Sequence, residues 1–174
     1  VSACGYCIIS PHQKGKPSIV AATVGKVVDF NYTDPFHMGG AMAPAAHDTI
    51  IRHLTKRNQT VADYDVIMTG DLGKVALQIL KNTLSIATKQ TDLPMLRDAG
   101  AEFYGDDQFF LAGASGAGCS AAVFFSYIME QFATGRFKRV LLVATGALLS
   151  PLSFQQGESI PCIAHAVEIN IEEA

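Results

Sequence analysis

Charge is scarce in this sequence. Only 17% of its 174 residues are Asp, Glu, Lys or Arg, whereas a soluble domain usually carries about a quarter. A domain so poor in charge is expected to hide surface against a partner. The net charge is −3 and no run of Lys or Arg exceeds two residues, so the basic footprint of a nucleic-acid-binding protein is missing. The start shows no secretory signal; it reads VSACGYC, like the interior of a strand, and residues upstream are expected. Cys4, Cys7, Cys119 and Cys162 have neither zinc spacing nor a disulfide framework. Free, buried thiols in a reducing compartment are the expectation.

One uncharged stretch is long enough to test as a membrane span. Residues 109–128 carry no charge, which meets the length rule. Gly113, Gly116 and Gly118 break it, together with Ser115 and Ser120. A buried internal helix over residues 118–133 is therefore expected, with no transmembrane segment.

The apolar pattern predicts an alternation of strands and helices. Residues 5–10 read as a strand, and residues 19–29 as a second, with a bend or bulge at Gly25. A helix over 41–56 turns Met42, Ala46, Ile50 and Leu54 inward, with Pro44 in its first turn. Residues 64–69 form a short buried strand. A helix over 72–87 follows, with Val75, Ile79, Leu80 and Leu84 inward. Residues 88–107 show no strong period, and the next strand is expected at 109–111. A glycine-rich turn, the helix 118–133, a strand over 139–145, a loop and a last strand over 160–171 complete the order. The result is βαβαβαββ, an α/β fold with a mixed, mostly parallel five-stranded sheet and helices on both faces.

The third helix says most about architecture. Gly118, Ala121, Ala122, Phe124, Phe125, Tyr127 and Ile128 leave no polar face before Glu130. A helix apolar all round is covered on all sides, and one sheet covers only one side. A second layer is expected over the other.

Several stretches carry a family resemblance. They are ATVGKVVD (22–29), DPF (34–36) with Met38 and Gly39, AMAPAA (41–46), TGDLGKV (69–75) and ASGAGCSA (114–121). VATGALLSP (143–151), SFQQ (153–156) and ESIPCIAH (158–165) complete the set. Together they resemble the C-terminal half of the stage V sporulation protein AD family of endospore-forming bacteria, whose halves have the thiolase fold. The resemblance implies that residues 1–16 are the last strand of an N-terminal half plus a turn, and that residues 17–174 are the C-terminal domain. It implies a role in moving dipicolinic acid, with its calcium, into the forespore. It also implies peripheral association with the spore inner membrane, partners encoded in the same operon, and a homodimer.

Thiolase-fold enzymes need a Cys nucleophile and two polar partners, His with His or Asn, to polarise a thioester and move a proton. By that resemblance one partner falls near Gly70 and the other near residues 113–116, where neither side chain is present. The Cys-x-Gly turn of thiolases is replaced by Thr145, Gly146 and Ala147. No catalytic residue and no cofactor are therefore expected. An acyl-CoA-dependent thiolase or ketoacyl-synthase-like acyltransferase using unusual groups is the rival reading.

A ligand site is expected at the same place. The backbone N–H groups of residues 116–118 would favour a carboxylate, with Ser115 and Ser120 as hydroxyl donors and Lys74 as a source of charge. Gly70, Gly116, Thr145 and Gly146 shape the cavity. Asp71 reads either as the N-cap of the second helix or as a calcium- or proton-binding group. Ser115 reads equally as an N-cap, Lys74 as a surface lysine, and Cys119 as a structural thiol. Cys4-Gly-Tyr-Cys7 lacks the helix that activates a redox pair. Gly70-Asp-Leu-Gly-Lys74 lacks the spacer and Ser/Thr of a phosphate loop. The five histidines form no metal cluster; His165 reads as a hydrogen-bonded core residue.

Overall fold

The computed structural model describes residues 2–105, 109 and 111–171. Its five strands are β1 (Ser18–Thr23), β2 (Val66–Thr69), β3 (Leu96–Asp98), β4 (Arg139–Ala147) and β5 (Cys162–Asn170). They form one sheet in the order β1-β5-β4-β2-β3. β2 pairs parallel with β3 and β4, while β5 runs antiparallel to both β4 and β1. Four strands thus share one direction and β5 opposes them. This is the mixed, mostly parallel α/β arrangement that the alternation predicts.

Helices cover both faces. α1 (Met38–Arg57) and α2 (Gly73–Thr88) pack on one face through Met42, Ala46, Ile50, Leu54, Leu80 and Leu84, against Ile67, Leu141 and Val143. The opposite face holds Val66, Met68, Val140 and Ile169 beneath Ile128 and Phe132 of the third helix. That helix spans α4 (Gly118–Val123), a π-helical turn (Phe124–Ile128) and α5 (Met129–Ala133). It ends before Gly135, whose φ of 71° is the left-handed conformation open to glycine.

Several expectations are corrected. Residues 5–10 join no sheet, because a strand exists only through a hydrogen-bonding neighbour and this chain gives that segment none. The segment lies instead on the third helix: a Cβ on Gly118 would sit 2.5 Å from the Ala3 carbonyl oxygen. A Cβ on Gly5 would sit 2.2 Å from the Phe125 ring. The second strand stops at Thr23, so Gly25 lies beyond it, and the irregularity in its register falls between Ile19 and Ala21. At Gly25 the chain leaves the strand. There the backbone passes so close to Ala164 that a Cβ would lie 1.7 Å from its oxygen. Val28 then bridges Cys162.

α1 begins at Met38, so Pro44 lies beyond its first turn; Met38, Gly39 and Gly40 extend the helix upstream. Val75 and Ile79 face outward at 54% and 37% exposure, because Gly73 and Ala76 take the inner stripe with Leu80 and Leu84. The strand expected at 109–111 falls partly outside the described residues, and Phe109 and Leu111 are exposed. The third strand is β3, fixed by its ladder with β2; the short α3 (Ala99–Glu102) follows. The loop after β4 contains α6 (Pro151–Gln155), capped by Ser150 and Ser153 reciprocally. Cys4 and Cys7 are exposed, whereas Cys119 and Cys162 are buried.

Candidate functional site

The parallel strands β2, β3 and β4 end on one side of the sheet, and three turns meet there. The buried Asp98 carboxylate holds two of them. It accepts from Thr69 Oγ1 at 2.7 Å, the Leu72 N–H at 2.9 Å, the Gly73 N–H at 2.9 Å and the Ala101 N–H at 2.8 Å. Backbone bonds complete the weave: Gly100 N–H to Gly70 O at 3.0 Å, Ala114 N–H to Gly100 O at 2.7 Å, and Lys74 N–H to Ala112 O at 2.9 Å. Glycine is required at 73 and 113. Their φ values are 76° and 96°, and a Cβ would meet the facing carbonyl oxygens of Ala112 and Gly100 at 2.6 and 2.4 Å.

Above this floor opens a cavity of about 470 Å³. Its wall joins Phe36, His37 and Met42 to Asp71, the turn 112–117 and the end of β4 at Thr145, Gly146 and Ala147. Of the residues expected there, Asp71, Ser115, Thr145 and Gly146 line it. Gly70, Gly116 and Ser120 stand behind the wall. A Cβ on Gly70 would lie 3.4 Å from Thr145 Oγ1 and 3.8 Å from Ser120 Cβ, and Gly116 touches Asp71 through its backbone. Lys74 is exposed and is not part of the wall, because its neighbours Gly73 and Ala76 turn inward.

Two alternatives left open by the sequence resolve here. Asp71 does not cap α2, since Asp98 has taken the N–H groups of Leu72 and Gly73. Instead Asp71 Oδ2 accepts from the Gly116 N–H at 2.9 Å and from Ser115 Oγ at 3.4 Å. Ser115 therefore does not cap α4, whose N-cap position is Ala117. The glycine turn expected to receive a ligand carboxylate already donates to one of the protein's own.

Sequence reasoning missed Phe36, His37 and Met42 as wall residues; the fold brings them there from the loop before α1 and from its first turns. Asp34 shapes that loop by accepting from the Phe36 N–H at 2.9 Å. His37 Nδ1 lies 2.9 Å from the Tyr32 hydroxyl. The signal was the Asp-Pro-Phe-His run before α1, but nothing in its spacing pointed toward residue 71.

The chemistry of the wall is sparse. Among the described residues, Asp71 and His37 are its titratable side chains, and neither Lys nor Arg lines it. Cys119 is fully buried, and burial with the nearby Asp71 carboxylate pushes its thiol up, away from the nucleophilic thiolate. Cys162 is likewise pushed up to about 11 by burial. His165 is exposed and accepts from the Gly25 N–H at 3.1 Å, which corrects its reading as a core residue. Among the described residues no group of His, Cys, Asp and Glu is placed to hold a metal ion.

A mixed α/β sheet with a cleft at the ends of its parallel strands is the class these features define. The chain belongs to the stage V sporulation protein AD family, whose model matches residues 1–170. It is 48% identical over 172 residues to stage V sporulation protein AD of Bacillus subtilis (strain 168). That alignment covers 96% of this chain and 49% of the relative, so the chain spans about half the relative's length. Among solved structures, the tetronic acid condensing enzyme AbyA1 aligns with a TM-score of 0.49 and 12% identity. It covers 92% of this chain and 49% of AbyA1.

Proposed function

We propose that this chain is the C-terminal half of a non-catalytic, two-half sporulation protein that binds dipicolinic acid together with calcium and aids its uptake into the forespore. The observation that carries the reading is a formed cavity at the place where the resemblance puts the ligand site. By that resemblance Gly70, Ser115 with Gly116, and Thr145 with Gly146 correspond to positions where a thiolase-fold enzyme needs His, Asn or Cys. The nearby thiol, Cys119, is sealed inside.

The wall also bears on which form of ligand is taken. Asp71 would repel a bare dianion, and among the described residues no Lys or Arg of the wall offsets it. A calcium–dicarboxylate complex carries less negative charge and gives Asp71 a cation to face. Calcium favours carboxylate oxygens of this kind. Peripheral association with the spore inner membrane, contact with proteins of the same operon and homodimerisation belong to the same proposal. Among the described residues no helix is long and apolar enough to cross a membrane.

Calorimetry on the full-length protein with dipicolinate, with and without calcium, tests the binding. Heat and a raised melting temperature are expected, both larger with calcium. Absence of both in either condition overturns the reading. Incubation with acyl-CoA followed by mass spectrometry is expected to show no covalent adduct, and an adduct would move the protein to the acyltransferase class.

A further inference from the structure

We infer that Thr145 is the hydrogen-bonding anchor of the cavity's ligand, swinging its hydroxyl out of the protein interior when an oxygen acceptor arrives. The inference rests on reading the cavity as a ligand site, and goes beyond it by naming the side chain and its motion.

Thr145 stands near the end of β4 and lines the cavity, yet its Oγ1 is shut off from solvent. Among the described residues that oxygen has no hydrogen-bond partner. Buried hydroxyls almost always find one, and leaving one unpaired costs stability. What lies beside Oγ1 is the bare Cα of Gly70, on which a Cβ would stand 3.4 Å from the hydroxyl oxygen. That carbon offers no hydrogen bond.

A threonine side chain has three staggered positions about χ1, and its methyl and hydroxyl are close in size. One step of roughly 120° brings the methyl to the place the hydroxyl now occupies beside Gly70 and carries the hydroxyl to the third staggered position. In the present rotamer the hydroxyl is lost to both sides. Turned toward the cavity, it donates to a carboxylate or carbonyl oxygen. The apolar methyl then rests against Gly70, where carbon suits carbon. A neutral hydroxyl also donates without needing a cation in a wall that already holds Asp71. The free protein therefore stores a small penalty at Thr145 that a ligand oxygen relieves.

Two variants of the full-length protein test this, each measured for thermal midpoint and for calcium dipicolinate affinity by calorimetry. Thr145→Val keeps the shape and removes the hydroxyl. Its midpoint without ligand is expected to rise, while its affinity falls about tenfold or more, as for loss of a bond to a charged acceptor. Thr145→Ser keeps the hydroxyl and is expected to bind within about threefold of the parent. Unchanged affinity in Thr145→Val, with the parent binding normally, overturns the anchor and leaves the proposed function standing. A lowered midpoint in Thr145→Val without ligand also overturns it, because the hydroxyl then has a partner in the folded protein. A parent protein that takes up no calcium dipicolinate overturns the function and the anchor together.

Discussion

At the scale of single residues, burial and charge pull against each other in two places. His53 is fully buried on α1, with Thr23 Oγ1 at 2.8 Å from Nδ1 and the Tyr64 hydroxyl at 3.1 Å from Nε2. The buried Glu168 carboxylate lies 3.4 Å from Nε2 and also takes Arg57 at 3.0 Å. Desolvation outweighs that carboxylate and lowers the His53 pKa below its ordinary 6.5. His47, half-buried two turns earlier, is lowered by the same cause despite Asp48 and a bond to the Thr83 backbone. Above pH 6.5 both rings are neutral whether the chain is folded or not, and their contribution is fully present. Below it the unfolded chain takes up the protons first, so stability falls with pH through the lowered folded values. Urea midpoints of the full-length protein are expected to drop between pH 7.5 and about 5.5, and less steeply in His47→Gln. A midpoint that is flat or rises on acidification would contradict burial as the dominant influence on these rings.

The cavity was only partly legible at this same scale. Asp71, Ser115, Thr145 and Gly146 could be placed because the resemblance points to the turns that join the predicted strands and helices there. Asp98 could not. It sits in a stretch without periodicity, and its importance comes from four donors that only the folded turns deliver. Phe36 and His37 escaped for a similar reason, since a loop's destination is set by packing and not by its own sequence. Of the two readings open for Lys74, the exposed surface lysine fits the described wall, because the helix face decides which side chains reach it.

Among elements, length decided what could be read. The third helix was predicted at 118–133 and is found there, because sixteen residues give the apolar pattern room to show. β3 has three residues, Leu96–Asp98, too few for any period, and exists because β2 offers a free edge. α6, with five residues, is also short and is held by its cap. The close packing of α1 on α2 was also hidden. It depends on Gly39, where a Cβ would lie 2.1 Å from the Leu72 oxygen and 2.9 Å from Ala76 Cβ. Since the obstacle is backbone, the helices themselves must part. Gly39→Ala is expected to cost about 1–3 kcal/mol, the range for overpacking a fitted contact. Because Gly39 lies in the cavity wall, the variant is expected to weaken dipicolinate binding as well. Denaturant titration and calorimetry of the same preparation check both halves of that expectation. Unaltered stability would mean that α1 shifts freely, and that its contact with α2 does not fix the wall.

For the whole molecule, the question is what lies over the third helix. In this chain its inner residues Cys119, Ile128 and Phe132 are buried, while 120–125, Tyr127 and Met129 are half-buried and Ser126 is open. The segment over it, residues 2–10, leaves Tyr6, Ile8 and Ile9 at 89%, 94% and 77% exposure. A groove of about 640 Å³ runs between that segment and Phe124, Phe125 and Met129. Water is a poor neighbour for such a surface. The relative of known sequence is about twice as long as this chain, and we propose that the remaining half supplies the layer that covers it. If so, amide exchange across residues 118–133 should be slow in the full-length protein and much faster in residues 1–174 expressed alone. The shorter protein should also bind a hydrophobic dye, or self-associate, through this face. Phe125→Glu should suppress that association in the short protein and destabilise the full-length one, because the same carboxylate is solvated in the first and buried in the second. Equal exchange rates in the two proteins would leave the helix an ordinary surface element. The cavity would then have to be complete with the walls it already has.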